Sequence, residues 1–543
     1  MERPISTIRK SNCNAIVRFM LVARSLKALS LVFLVFFLIS VVPVATAQKR
    51  HADRALPEYG PEPKAARYFE SIRNQPLLLH AFLQEMPKGG DLHNHLSGAV
   101  YAESLIAYAV QDKLCVDRST LSFLPQMCDS NSNKPPAEEP LKDPVLYGQL
   151  LDAFSMRQFI PGAESGHDHF FATFGKFGAA TNKHTADMLA EVTARAAADH
   201  LQYMELMFNP DGGAAGRLGS SFASAPEFQN DDFGKMRETL LSNGLPQIIA
   251  DASQFLTDTE QQEKKIMHCG ETQADPGCNV KARYLYQVSR GVAQESVFAQ
   301  ILAGFEMASK DSRVVGLNLV MAEDWYIPIH DFNLHMRMLD FLAKIYPTVH
   351  ITLHAGELTQ QLVPPEDLFH IRASIEQGHA TRIGHGVDVM QERDPEALLR
   401  KMAKEKILVE ICLTSNDVIL NVSGSHHPLP MYLKFGVPIA LATDDAGVSR
   451  ADIVQEYTRA AETYHLKYQD LKKFARASLA FSFLPGESIW KDPAAGTRAS
   501  ACAADKPVNA NPSSDCAKLL KSSEKAQQEW ALEEAFSRFE SKF

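Results

Sequence analysis

The sequence predicts an α/β chain folded as a closed (β/α)8 TIM barrel, with a cysteine-bearing insertion after the first strand and a C-terminal helical extension. Three observations carry the expectation. Eight short β-type runs recur along the chain, amphipathic segments such as 333–345 and 395–404 separate the later ones, and four clusters of His, Glu and Asp fall at the ends of runs. Repeated strand–helix units close into a parallel barrel, and the C-terminal ends of barrel strands are where such folds place their sites.

In chain order, residues 1–47 stand apart. Arg18, Arg24 and Lys27 precede an apolar run of 15 residues, 28–42, and Ala45-Thr46-Ala47 offers small residues for cleavage. This is the layout of a secretory signal peptide, and the run falls short of the roughly 20 residues that span a bilayer. The expectation is a mature chain, periplasmic or secreted, with no stable membrane anchor. Cleavage would remove six basic residues and one acid, taking the net charge from −10 to −15.

Residues 48–85 are expected to form an N-terminal helical extension. Its amphipathic part, 61–86, would either pair protomers in a homodimer or cover the bottom of the barrel. The barrel itself is placed at 86–490, with strands at 91–96, 203–208, 282–289, 314–321, 350–354, 381–385, 407–413 and 438–443. The first connection is too long for a bare helix, and its polar, proline-bearing piece at about 112–144 reads as an insertion. A polar, glycine-bearing stretch, 209–230, follows the second run. Beyond the barrel, 491–515 reads as a loop, and 522–542 returns to helical spacing with Trp530, Leu532, Phe536 and Phe539. Residues 491–543 are therefore a loop and a C-terminal helix.

Six cysteines form local pairs in polar stretches: Cys115 with Cys128, Cys269 with Cys278, and Cys502 with Cys516. Three short-loop disulfides are expected, in keeping with export. Structural zinc would need more ligands per loop than these pairs supply, and no CxxC occurs. Cys412, in an apolar run, is expected to be a buried thiol. The net charge of −10, without a long Lys/Arg block, excludes a nucleic-acid polymer as partner, since phosphate backbones need concentrated positive surface.

His93 and His95 are two apart at the end of the first strand, so both side chains face the barrel interior. His354-Ala355-Gly356-Glu357 ends the fifth strand, Gly384-His385-Gly386 the sixth, and Thr443-Asp444-Asp445 the eighth. Three imidazoles and one carboxylate, with a water completing the shell, suit an open catalytic zinc, one Zn2+ per chain. A bound dication brings the pKa of water down to about 7. Glu357, His385 and Asp445 are then available as proton donor, water-orienting base and ligand anchor. His370 and His379 read as helix-cap or turn histidines.

These stretches resemble the adenosine deaminase family of metal-dependent barrels. The resemblance is carried by Met86-Pro87-Lys88 through His93-Asn94-His95-Leu96-Ser97-Gly98-Ala99, then His354-Ala355-Gly356-Glu357, Arg382-Ile383-Gly384-His385-Gly386, Leu413-Thr414-Ser415-Asn416 and Val437-Pro438 through Thr443-Asp444-Asp445, in family order from about Met86 to Leu484. The signal peptide, the cysteine-bearing insertion, Leu319-Val320 through Glu323-Asp324, and Ser482-Phe483-Leu484-Pro485-Gly486 are most similar to its secreted growth-factor branch. The resemblance implies zinc on His93, His95, His354 and Asp444, with Glu357, His385 and Asp444 catalytic. Glu357 would protonate purine N1, His385 with Asp444 would position and deprotonate the attacking water, and a protonated Asp445 would donate to N7. The implied reaction converts adenosine or 2'-deoxyadenosine to inosine or 2'-deoxyinosine plus ammonia, so the implied partner is a small purine nucleoside.

Three positions depart from the family pattern. Ser97 stands where relatives carry an acidic residue on the ribose 5'-hydroxyl, and Met321 stands where they carry glycine beside purine N3. Ala446 replaces a proline. Ser97, Gly98 and Met321 are thus candidate substrate contacts, and Glu205, at the end of the second strand, would either replace the ribose contact or form a structural salt bridge. The departures keep open deamination of another aminopurine, or hydrolysis of an amide or ester in the same barrel. A nucleoside-binding signalling protein is the reading from a different class.

Overall fold

In the computed structural model, which describes residues 61–125, 128–129, 133–507 and 512–543, eight parallel strands form one sheet. They are β1 (Gly89–His95), β2 (Leu201–Phe208), β3 (Lys281–Ser289), β4 (Val314–Val320), β5 (His350–Ala355), β6 (Arg382–His385), β7 (Leu408–Ile411) and β8 (Ile439–Leu441), paired in chain order. β8 returns to β1 through a parallel bridge between Asn94 and Asp444. There the Asp444 amide donates to the His93 carbonyl at 2.8 Å and the His95 amide to the Asp444 carbonyl at 3.2 Å. The sheet is therefore a closed (β/α)8 barrel. Strands covered on both faces read as continuous apolar runs, and β4, Val-Val-Gly-Leu-Asn-Leu-Val, is buried throughout. Its one polar side chain, Asn318, has a task at the site.

The strand ends differ from the expectation where the backbone turns toward chemistry. β8 stops at Leu441 because the chain leaves the sheet to place Asp444, whose φ is +59°. β7 stops at Ile411, and the expected last residue of that run, Leu413, instead starts the helix Leu413–Leu420. Residues 1–47, read as a signal, lie outside the described residues. Among the described residues no helix is long and apolar enough to cross a membrane.

The helices Pro61–Ile72 and Pro76–Glu85 pack with the C-terminal helix Glu524–Glu540. Phe82 meets Phe539 edge-on at 5.0 Å and Phe543 at 5.2 Å. Lys472, buried between these helices, pairs with Glu540 at 2.6 Å and Glu62 at 2.8 Å. The apolar face of 61–86 is thus spent largely on the chain's own helices.

All three expected disulfides form, and Cys412 is free and buried. The first staples a small hairpin, Cys115–Asp117 with Ser122–Leu124. The glycine-bearing stretch 209–230 is not a plain loop: it holds the helices Ala214–Ser220 and Pro226–Gln229. Its small residues serve close packing against the helix Gln294–Lys310.

One buried charge network ties the barrel wall together. Arg382, 1% exposed, pairs with Glu205 and with Glu410, each at 2.6 Å, and its guanidinium lies 3.8 Å from the Phe483 ring centroid. Removing one partner of such a network leaves the others buried and uncompensated, at a cost of about 3–5 kcal/mol. Arg382→Met should therefore lower the unfolding free energy by about that amount in a denaturant titration. A loss below about 1 kcal/mol would show that the two carboxylates find other compensation.

Candidate active site

Four sequence clusters converge at the C-terminal mouth of the barrel. Among the described residues, the ligand atoms of His93, His95, His354 and Asp444 all lie within 4.8 Å of one another, and Glu357, His385 and Asp444 form a second such group. The Nε2 atoms of His93 and His354 are 3.0 Å apart and those of His95 and His354 3.2 Å apart. Asp444 Oδ1 lies 3.3 Å from His95 Nε2 and 3.5 Å from His93 Nε2. Four ligands at about 2.0–2.1 Å from a tetrahedral ion sit about 3.3 Å from one another, so the donor set has the size and chemistry to hold zinc.

The outer nitrogens of the three imidazoles agree. His93 Nδ1 bonds Glu410 Oε2 at 2.8 Å, His354 Nδ1 bonds Asn318 Oδ1 at 2.9 Å, and His95 Nδ1 bonds Gln287 Oε1 at 3.1 Å. Each acceptor oxygen fixes the proton on Nδ1 and turns the Nε2 lone pair inward, as metal-binding histidines require. Burial alone would push His93 down, but its bonds to Asp444 and Glu410 prevail and push it up to about 10. The centre thus attracts positive charge, which a dication would supply. Burial holds His354 well below its ordinary value.

Beside the cluster, burial, reinforced by the Asp444 charge, pushes the Glu357 carboxyl well above the usual range. Burial and Asp444 do the same to Asp445. Burial also opposes ionisation of Asp444, yet the surrounding histidines hold it below its ordinary value. One carboxyl is thus biased toward its ionised form between two biased toward their protonated forms, the division of labour expected of paired acids. His385, pushed down to about 3 by burial, stays neutral. It bonds Asn416 at 3.1 Å through Nδ1 and lies 3.6 Å from Glu357.

Backbone strain marks the same residues. His385 and Asp444 take φ of +67° and +59°, and Met321 takes +103°. Non-glycine residues hold such angles at a cost of about 1–3 kcal/mol, mostly where function fixes them. Two glycines allow the close packing: a β-carbon on Gly384 would stand 2.6 Å from His93 Cε1, and one on Gly98 would overlap the Asp445 carboxyl. Gly98 is therefore a support for Asp445.

The cluster floors a cavity of about 360 Å3. His95, Ser97, Met321, His354, Glu357, His385, Asp444 and Asp445 line it, with Phe170, Phe171, Phe174 and Trp325 as an aromatic wall. Glu357 Oε1, His385 Nε2 and Asp445 Oδ1 are buried without a hydrogen-bond partner in the protein. Three orphaned polar atoms in one apolar cavity are the arrangement a small polar-edged ring would satisfy.

Two expectations need correction. Glu205 does not reach the cavity: it is fully buried, paired with Arg382 and accepting from the Phe483 amide at 2.7 Å and the Tyr203 hydroxyl at 2.9 Å. The salt-bridge alternative describes it. His370 is not a solvated cap. It is buried, bonded to Glu323 and stacked on Phe332 at 3.7 Å. His379, 44% exposed at the side chain and paired with Asp340 at 2.8 Å, does sit on a surface turn.

Sequence reasoning missed the partners of the ligands, Glu410, Asn318 and Gln287, and missed Glu323, whose two oxygens accept the Gly356 and Glu357 amides at 3.1 and 2.8 Å. For Glu410, Asn318 and Gln287, a lone acid or amide inside an apolar strand was the available signal, because such a group must be paired to be buried.

The aromatic wall hangs on one histidine. The helix Gly166–Phe177 supplies its phenylalanines, and His167 joins that helix to the Trp325 loop by bonding Asp324 at 2.8 Å, with Asp168 at 2.9 Å on its other nitrogen. Burial opposes its charge, but the two carboxylates prevail and raise its pKa. A raised folded-state pKa gives stabilisation that is complete below the unfolded value of about 6.5 and lost as pH climbs through the folded one. His167→Gln should lower Tm more at about pH 5.5 than at about pH 9. Equal losses at both would mean the charge contributes nothing.

Fold and site together define a (β/α)8 barrel with a candidate His3Asp metal centre at the C-terminal ends of its strands. Residues 246–490, somewhat under half of the chain, match the family model described as adenosine deaminase, and this segment is similar to that family. An adenosine deaminase from Escherichia coli is 37% identical over 139 residues, 25% of this chain and 39% of that relative. The aligned part thus spans well under half the length of the curated relatives. Among solved structures, an adenine deaminase from Arthrobacter aurescens is 17% identical over 74% of this chain and 94% of its own, with TM-score 0.47. An N6-methyl-AMP deaminase from Arabidopsis thaliana is 20% identical over 75% of this chain and 94% of its own, also with TM-score 0.47.

Proposed function

We propose that the chain is a zinc-dependent adenosine deaminase, hydrolysing adenosine and 2'-deoxyadenosine to inosine and 2'-deoxyinosine with release of ammonia. The observation that carries the reading is the set of three buried, unpartnered atoms, on Glu357, His385 and Asp445, facing one cavity beside the His/Asp cluster.

His93, His95, His354 and Asp444 would hold one zinc, which, when bound, supplies a nucleophilic water at neutral pH. The protonated Glu357 donates to purine N1 and draws electrons from C6. His385, its Nδ1 accepting from the Asn416 side-chain amide at 3.1 Å, positions the attacking water through Nε2, and the ionised Asp444 beside it takes the water's proton. Asp445, kept protonated, donates to N7 and fixes the ring. Water adds at C6, the proton taken from it is passed to the amine, the C6–N bond breaks to release ammonia, and the C6 hydroxyl proton returns to the Glu357 carboxylate as the C6 carbonyl forms. Ser97 lies at the sugar, and Met321 borders the base with its amide available.

Met321 is also the observation that favours a second reading, deamination of a different aminopurine: its side chain occupies cavity wall at a backbone angle suited to glycine. Hydrolysis of an amide or ester belongs to the same test. Export remains part of the proposal, resting on residues 1–47. Zinc-loaded protein should deaminate adenosine and 2'-deoxyadenosine faster than adenine, AMP, N6-methyladenosine or simple amides. An inert adenosine beside a rapidly consumed member of that panel would reassign the substrate, and nucleoside binding without turnover would favour the signalling role.

A further inference from the structure

A second, larger cavity of about 530 Å3 adjoins the first, and the two share Ser97 and Gln287 as lining residues. Gln287 also holds His95, so the junction lies within one side chain of the metal cluster. The floor of this annex is apolar, with Met188, Phe208, Ile248 and Ala252, and Phe255 stands 39% exposed at its edge. Its polar lining is neutral or acidic: Thr181, Asn182, Thr185, Asn209, Asp211 and Asp251. No Lys or Arg lines either cavity among the described residues. The Arg217 guanidinium, near the rim, donates to the Gly212 carbonyl at 2.9 Å. Asp211 accepts from the Gly213 and Ala215 amides and the Tyr286 hydroxyl.

A phosphate needs cationic or amide donors at its binding site, and this lining repels it. An apolar group, or an ammonium or sulfonium carried on one, meets a complementary surface. We propose that the annex is a subsite for a neutral or cationic substituent on the sugar of an adenine nucleoside, so that the preferred substrate is larger than adenosine and is not a nucleotide. The proposal rests on the deaminase reading, in which Ser97 faces the sugar. Purine and substituent would bind in adjoining cavities, with the reacting carbon over the cluster and the substituent past Ser97 and Gln287.

The test compares kcat/KM of the zinc-loaded protein on adenosine, 5'-deoxy-5'-(methylthio)adenosine, 5'-amino-5'-deoxyadenosine and AMP. One added apolar group in a fitting pocket is worth about tenfold. The methylthio compound should therefore exceed adenosine by about tenfold, the amine should at least equal adenosine, and AMP should fall about a hundredfold below it. Asn182→Trp, an exposed position at the annex, should remove the methylthio advantage while leaving adenosine turnover unchanged. Adenosine turned over as fast as the methylthio compound, AMP turned over as fast as adenosine, or Asn182→Trp slowing both nucleosides equally, would overturn the subsite. Failure of every compound, adenosine included, would instead overturn the deaminase reading on which it rests.

Discussion

Glu357→Gln should reduce kcat on adenosine by about 10^3-fold or more while leaving metal content unchanged. A positioned general acid contributes about 10^2–10^4, and the upper part of that range is expected because the group has no substitute nearby. Asp445 is committed to the other edge of the ring, Asp444 is ionised, and His385 is held neutral at about 3. The amide of glutamine matches the carboxyl in size and keeps the backbone bonds to Glu323, so the cavity should keep its shape. It cannot transfer a proton. KM should change little, because a neutral donor still faces N1, and a large KM change with kcat preserved would assign Glu357 to binding alone.

His354→Ala should abolish both metal binding and turnover, whereas Asn318→Ala should weaken metal affinity by about 10–100-fold and leave turnover at saturating zinc largely intact. The contrast follows from position. His354 Nε2 lies 3.0 and 3.2 Å from the Nε2 atoms of the two histidines of β1 and is the one ligand supplied by β5, so its loss leaves only donors from β1 and from the segment bridged to it. Asn318 only orients: its Oδ1 accepts from the His354 ring at 2.9 Å and from the His354 amide at 3.0 Å. Titration of the stripped proteins with zinc separates the two cases. Comparable affinities in both variants would mean that the four-residue cluster is not the metal centre.

The barrel was legible because its strands are short, apolar and regularly spaced, and because His93-Asn94-His95 carries its own two-residue geometry. The clustering of the candidate site was legible in the same measure: His93, His95, His354, Glu357, His385, Asp444 and Asp445 lie at or just past strand ends, where sequence position and spatial position coincide. What local patterns could not reveal are the groups brought in across the barrel. Glu410 reaches His93 from a strand 317 residues further on, and no spacing rule links the two. Glu205 misled because it was expected at a strand end and lies inside β2, where a lone carboxylate looks the same whether it faces a ligand or a buried arginine, and only the position of Arg382 decides. His370 misled for the opposite reason, since a histidine opening a helix suggests a cap, while its partner Glu323 lies 47 residues earlier. The aromatic wall comes from Gly166–Phe177, a helix within the long first connection, whose placement over the strand ends depends on tertiary packing.

The most direct test of the account is turnover of adenosine by the purified chain with its metal quantified in the same sample. About one zinc per chain is expected, with conversion of adenosine to inosine, one ammonia released per turnover, and loss of that conversion in Glu357→Gln with zinc retained. A wild-type protein carrying one zinc that leaves adenosine and 2'-deoxyadenosine unchanged would contradict the account.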